Sequence, residues 1–203
     1  MDKQAELDKL KRVILNNDIG LDLALQAANL VMGDGNLDAE IVFIGEAPGK
    51  KEDEQGLPFV GAAGKFLNEM LAQAGMTRSD VYVTNIVKYR PPENRDPLPE
   101  EKEAFWPYLL KQLQIIEPKV VITLGRHSME YFLPDMKISQ IHGQPRQVIV
   151  DNMTLTVIPL YHPAAALYNG SMRQTLIDDF LMVPSIVEGV TAEAKFANLR
   201  KVC

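Results

Sequence analysis

Four side-chain types in this chain could together do chemistry on a flat heterocycle: the ring of Phe59, the amide of Asn85, the imidazole of His162, and a carboxylate from Glu46 or Glu52. A phenyl ring stacks on a planar face, and a side-chain amide pairs with a polar edge, as proteins do when they read a base taken out of its stack. An imidazole can donate a hydrogen bond to charge that develops on a leaving group, and a carboxylate can hold and activate water. Phe59 lies in GEAPGKKEDEQGLPFVG, residues 45–61, which holds four glycines, two prolines and four acids, a mixture that no packing demand calls for.

Other chemistries find no support. No glycine-rich loop carries the GK[ST] of a phosphate cradle, and GEAPG lacks the GxGxxG spacing of dinucleotide binders. Ser128 and Ser171 have no nucleophile-elbow context. The histidines at 127, 142 and 162 show no metal-ligand spacing. Glu46, Glu52, Asp53 and His162 are the residues that could hold a divalent ion, and no metal is expected. The single cysteine, Cys203, allows no internal disulfide and no cysteine-ligated zinc or iron–sulfur site within one chain.

The candidate residues all follow strand signals. IVFIG (41–45), VYVTNIV (81–87) and KVVITLG (119–125) are apolar and rich in β-branched residues, as suits strands buried on both faces of a parallel sheet. QVIV and TLTVIPL, joined by Asp151 and Asn152, read as a hairpin or two late strands. Helices alternate with them. Leu7, Leu10, Val13 and Ile14 mark an amphipathic helix over 3–15, and Phe66, Leu67, Met70, Leu71 and Ala74 mark another that stops at Gly75. Pro99 starts a helix through about 116 that Pro107 should kink. A short helix is expected around HSMEYF, another near 172–183, and a last one over about 185–201. The spacing predicts a three-layer α/β/α sandwich around a central, mostly parallel sheet. Ligands in such sheets bind beyond the carboxyl ends of the strands, so GEAPG, Asn85, GRHS (125–128) and YHPAAAL (161–167) should open on one crevice.

At 203 residues and 46% hydrophobic content the chain suits one domain, 1–203, with a buried core. Its longest apolar runs are strand-sized and its start is charged and periodic, so a membrane span and a signal peptide are not expected, and the cytoplasm is. A net charge of -6 argues against coating nucleic acid through a global field but allows a local basic rim. Lys50, Lys51, Lys88, Arg90, Arg95, Arg126 and Arg173 each lie beside a loop signal and are its candidates.

The segments GEAPG, QGLPFVGAAG, VYVTNIVKYRPPENRDP, VITLG and YHPAAAL, in that order and spacing over roughly residues 30–180, resemble the family 4 uracil-DNA glycosylases. The resemblance implies an enzyme of base excision repair that flips uracil out of DNA and hydrolyses its N-glycosidic bond, leaving an abasic site. It implies that Gly45, Ala47, Phe59 and Asn85 hold uracil, with Asn85 refusing cytosine and crowding at the methyl-bearing carbon refusing thymine. His162 would face the uracil O2, and Glu46 or Glu52 would hold the water. Arg90, Arg126, Ala164, Leu167 and Arg173 would meet DNA, with Leu167 and Tyr168 filling the gap left by the base. Uracil-containing DNA would be the partner of a monomer.

One departure is large. The family carries four cysteines that ligate a 4Fe-4S cluster, and here Tyr89, Phe105, Asp18 and Leu21 stand in their place. No iron–sulfur cluster and no other cofactor is expected, and Tyr89 is expected to pack on Phe105. Two further readings remain open at this point: a catalytically weak protein that binds uracil-containing or abasic DNA, and a glycosylase for another deaminated base such as hypoxanthine.

Overall fold

A computed structural model describes the backbone of residues 2–200 and the side chains through residue 192. In chain order its elements are α1 (Lys3–Asn16), α2 (Leu21–Ala24), β1 (Asp34–Gly35), β2 (Ile41–Gly45), α3 (Lys50–Gln55), α4 (Ala62–Gln73), β3 (Tyr82–Asn85), α5 (Pro99–Ile116) and β4 (Val120–Leu124). There follow α6 (Arg126–Met129), α7 (Ile138–Ile141), β5 (Arg146–Val150), β6 (Met153–Leu160), α8 (Ala165–Tyr168), α9 (Gly170–Leu181) and α10 (Val183–Arg200).

Every residue of β2 is buried because both faces of its sheet are covered. The strand order is β1-β3-β2-β4-β6-β5, in which β3, β2, β4 and β6 run parallel and the two edge strands antiparallel. The two-residue side-chain period of a strand sorts the core into two layers. Val42, Ile44, Val121 and Val157 face Phe105, Leu109 and Leu113 of α5. Ile41, Phe43, Val83 and Ile122 face Phe66, Leu67 and Met70 of α4 and Leu176 and Phe180 of α9. Phe43 stacks on Phe180 with ring centroids 5.5 Å apart. This is the expected α/β/α sandwich.

The hairpin expectation holds in detail. Asp151 and Asn152 join β5 to β6 with φ of 46° and 62°, the left-handed pair that a tight hairpin turn demands. The helix beginning at Pro99 runs through Pro107 to Ile116. Three expectations are corrected. The 45–61 segment, whose glycines and prolines read as a loop, is not all loop, because Lys50–Gln55 forms α3 and Gly56 ends it in the left-handed conformation. The second strand stops at Asn85 rather than at residue 87. The helix sought near 172–183 begins at Gly170 and gives way to α10 at Val183. Cys203 and the last residue of the C-terminal helix expected over about 185–201 lie outside the described residues.

Candidate active site

The carboxyl ends of the parallel strands bring the candidate residues together. Gly45 and Asn85 are the last residues of β2 and β3 and lie opposite each other in the parallel register. The Asn85 side chain is 2% exposed and makes no hydrogen bond among the described residues. Its Oδ1 and the Phe59 ring converge over Gly45, where a Cβ would stand 2.3 Å from the oxygen and 2.7 Å from the ring. Only a residue without a side chain lets the amide and the aromatic approach this closely.

Phe59 is held in a strained pose. Its φ of 53° is left-handed, which is rare for a bulky side chain and marks sites where the surroundings over-determine the backbone. Those surroundings are visible. Glu52 Oε1 accepts from the amides of Val60 at 2.9 Å and Gly61 at 2.7 Å. Gly64 lies so close beneath that a Cβ there would stand 1.8 Å from the Phe59 carbonyl oxygen. Asp53 fixes the other side of α3: its Oδ1 accepts from the amides of Ala28 at 2.8 Å and Asn29 at 2.9 Å. Thus two of the four acids in this segment staple backbone, and the glycines and prolines let the chain fold around them.

His162 follows β6, and its ring lies 5.8 Å from that of Phe59 at an interplanar angle of 34°. Burial lowers its pKa to about 4, against a weaker upward pull from Glu52, so the imidazole is neutral at pH 7. The amide of Ala164 donates to Nδ1 at 3.2 Å, which leaves the ring proton on Nε2. A neutral imidazole with a donor at Nε2 results.

Glu46, one residue past β2, differs from Glu52. Its pKa is raised to about 7, first by burial and next by the charge of Asp96. Its Oε1 is buried without a hydrogen-bond partner among the described residues. His127, from the GRHS turn after β4, places Nε2 3.7 Å from Glu46 Oε1 and 3.3 Å from Asp96 Oδ2. Burial lowers the pKa of His127. Glu46, Ala47, Pro91, Asp96 and His162 line one cleft of about 150 Å³. Neither His127 nor Asp96 stood out in the sequence, although the strand-end rule that selected GRHS already contained the signal for the histidine.

The basic rim is thinner than expected. Lys88 does not belong to it: the side chain is wholly buried, and its Nζ donates to Thr84 Oγ1 at 2.8 Å and to the Asn85 carbonyl at 2.6 Å. The chain bends after Asn85, and the bend turns Lys88 back onto the end of β3. Arg95 pairs with both oxygens of Glu101 at 2.8 and 2.5 Å. Arg173 lies over the Phe66 ring at 4.3 Å and pairs with Glu69 at 2.5 Å, on α4 rather than in the cleft. Lys50 pairs with Glu54 on α3 at 3.9 Å. Arg90 Nε donates to Asn94, and the Arg126 side chain, 65% exposed, lies 3.7 Å from Asp96. Leu167 and Tyr168 project from α8, the tyrosine 91% exposed.

The residues at the expected cluster positions do not fit an iron–sulfur cluster. Such clusters are held by thiolates. Here Tyr89 and Phe105 meet edge to face at 5.9 Å and 68°, as expected, with Phe105 wholly buried. A Cβ on Gly20 would stand 2.5 Å from the Phe105 ring, so the segment that holds Asp18 and Leu21 closes on the same rings.

Known proteins resemble this chain over most of its length. Residues 32–182 match the model of the uracil DNA glycosylase superfamily. The chain is similar to the type-4 uracil-DNA glycosylase of Archaeoglobus fulgidus, 49% identical over 78% of this chain and 82% of that protein. It is 48% identical to the type-4 uracil-DNA glycosylase of Sulfurisphaera tokodaii, over 75% of this chain and 72% of that protein. Identity to that of Thermotoga maritima is 42%, over 82% and 87% of the two chains.

Proposed function

The chain belongs to the uracil DNA glycosylase superfamily, among the type-4 enzymes, and from that premise we propose that it excises uracil from DNA by hydrolysis of the N-glycosidic bond, leaving an abasic site for base excision repair. The observation that carries this reading is the convergence of the Asn85 amide and the Phe59 ring over Gly45, with the neutral His162 beside them. Similarity at this level does not favour a binding-only protein or a glycosylase for another base.

In this reading uracil swings into the cleft, Phe59 stacks on its face, and the unpaired Asn85 amide pairs with the edge that distinguishes it from cytosine. Lys88 acts on Asn85 through its carbonyl and Glu52 acts on Phe59 through its loop. Both are positioning residues. The bond from C1′ to N1 breaks with its electron pair leaving on uracil, and negative charge grows on O2. The Nε2–H of His162, already aimed and neutral, donates to that oxygen without a proton transfer, which is where a preorganised donor contributes several kcal/mol, about 3–4. The sugar passes through an oxocarbenium-like state, as in other glycoside cleavages. Water then adds to C1′ and gives its proton to Glu46. Glu46 suits that task better than Glu52, because the oxygen of Glu52 is occupied by two amides while that of Glu46 has no partner. A pKa near the working pH suits a general base.

Arg90 and Arg126 meet phosphates, and Leu167 and Tyr168 fill the gap left by the base. The enzyme works as a cytoplasmic monomer without a cofactor, a reading supported by the aromatic packing where the cluster thiolates would stand. Among the described residues no helix is long and apolar enough to cross a membrane. Competition tests the pocket: free uracil should inhibit release of uracil from an oligonucleotide, and hypoxanthine or cytosine should not. Equal inhibition by hypoxanthine would reassign the substrate.

A further inference from the structure

We propose that Glu46, Asp96 and His127 form a binding site for a divalent transition-metal ion of the zinc class, and that filling it arrests uracil excision. The three donors come from separate elements: Glu46 past β2, Asp96 from the loop before α5, and His127 from α6. Their ligating atoms all lie within 4.8 Å of one another. His127 Nε2 is 3.3 Å from Asp96 Oδ2 and 3.7 Å from Glu46 Oε1. A four-coordinate zinc with nitrogen and oxygen ligands at about 2.0–2.2 Å sets its donors about 3.3–3.6 Å apart. Both edges to His127 stand at or close to that span, and the Glu46–Asp96 edge lies within 4.8 Å.

Nothing within the trio satisfies these atoms. Neither carboxylate hydrogen-bonds the imidazole, and Glu46 Oε1 is buried without a partner. His127 Nδ1 is likewise unpartnered among the described residues and is free to carry the proton when Nε2 ligates. The groups facing the site are Glu46, Asp96 and Glu130 against Lys102 and Arg126, so with a neutral imidazole the excess charge is negative. Arg126 is the present competitor, donating from Nε to His127 Nε2 at 3.1 Å. Its side chain is largely exposed and can swing into solvent when a dication takes its place.

A bound ion takes the Glu46 oxygen that water needs and ties the 89–98 loop to the end of β2. The arrest rests on the proposed role of Glu46, whereas the binding does not. Tag-free, chelator-stripped protein is titrated with cobalt(II) as a spectroscopic probe, and uracil release is followed with and without zinc. The expected result is one visible cobalt band at stoichiometric metal, lost in His127→Gln and in Asp96→Asn. Zinc should slow release about tenfold or more in the unaltered protein and less than about twofold in His127→Gln, each relative to its own rate in chelator. Absence of the band, or a band equal in both variants, overturns the site. A band that both variants lose, with an unchanged rate in zinc, keeps the site and overturns the assignment of the water to Glu46.

Discussion

The carboxyl ends of β2, β3 and β6 and the contact of Tyr89 with Phe105 are two regions of one fold built on opposite terms. At the strand ends a left-handed phenylalanine, an unpaired buried amide, an acid with its pKa raised to about 7 and an imidazole at about 4 are crowded together. At the aromatic contact two rings meet edge to face, Phe105 is wholly buried, and burial raises the pKa of the Tyr89 phenol. The first region gathers polar groups around a cleft, while the second is closed by aromatic packing. Convergence of polar and aromatic groups locates function here better than burial does, since Asn85 and Phe105 are both buried and only Asn85 meets the Phe59 ring over Gly45.

That contrast breaks or sharpens under mutation. The largest effect should come from Asn85→Ala, which removes the group that reads uracil and should lower kcat/KM about a thousand-fold or more with the melting temperature little changed. His162→Ala should cost about 10²–10³ in kcat with KM nearly constant, because its donor is used on developing charge. Steady-state kinetics on a uracil-containing oligonucleotide checks both. A stability loss as large as the activity loss would erase the distinction between the regions.

At the aromatic contact the signs reverse. Phe105→Ala should destabilise the fold by about 3–5 kcal/mol, lowering the melting temperature by about 10 °C. Below the transition its uracil release should stay within about threefold of the parent. Replacing Tyr89 and Phe105 together by Cys, without iron, should also lower the melting temperature. An unchanged value would mean that the rings add no stability.

Acidity separates two groups within the strand ends. Glu46 must be ionised to take a proton, so the rate should fall as pH drops below about 7, and Glu46→Gln should be slower and lose that limb. His162 stays neutral down to about 4 and adds no limb above that value. It does affect stability: its folded pKa lies below the ordinary 6.5, so the unfolded chain binds the proton more readily between 6.5 and about 4. Its contribution is therefore intact above pH 6.5 and falls as pH drops through that window. Thermal melts of His162→Asn should show a weaker acid dependence there. The smallest effect should be that of Arg126→Ala, a modest loss of DNA affinity with a shallower salt dependence in a binding titration.

The strands and most helices were legible because their signals are local. IVFIG needs only its own composition to read as a strand buried on both faces, and Asp151-Asn152 needs only its turn chemistry. The strand-end rule alone gathers Gly45, Asn85 and His162. The failures involve partners far along the chain. Glu52 reads as an acid that could hold water and Asp53 as one that could hold a divalent ion, yet they accept from amides 8 and 9, or 25 and 24, residues away. No local pattern contains that information. Lys88 reads as a surface cation because lysine is almost never buried, and the bend after Asn85 that turns it inward has no local signal. The α3 helix was hidden by the glycines and prolines around it, which serve the loop and not the helix.

The most direct test uses a labelled oligonucleotide with a single uracil, incubated with the purified protein in the presence of chelator, with abasic sites and free uracil followed over time. Multiple turnover, abolished in Asn85→Ala, much slowed in His162→Ala and retained in Phe105→Ala below its transition, is the result that the contrast of the two regions requires. Absence of uracil release, with retarded migration of uracil-containing DNA alone, would contradict it and leave a binding protein in place of an enzyme.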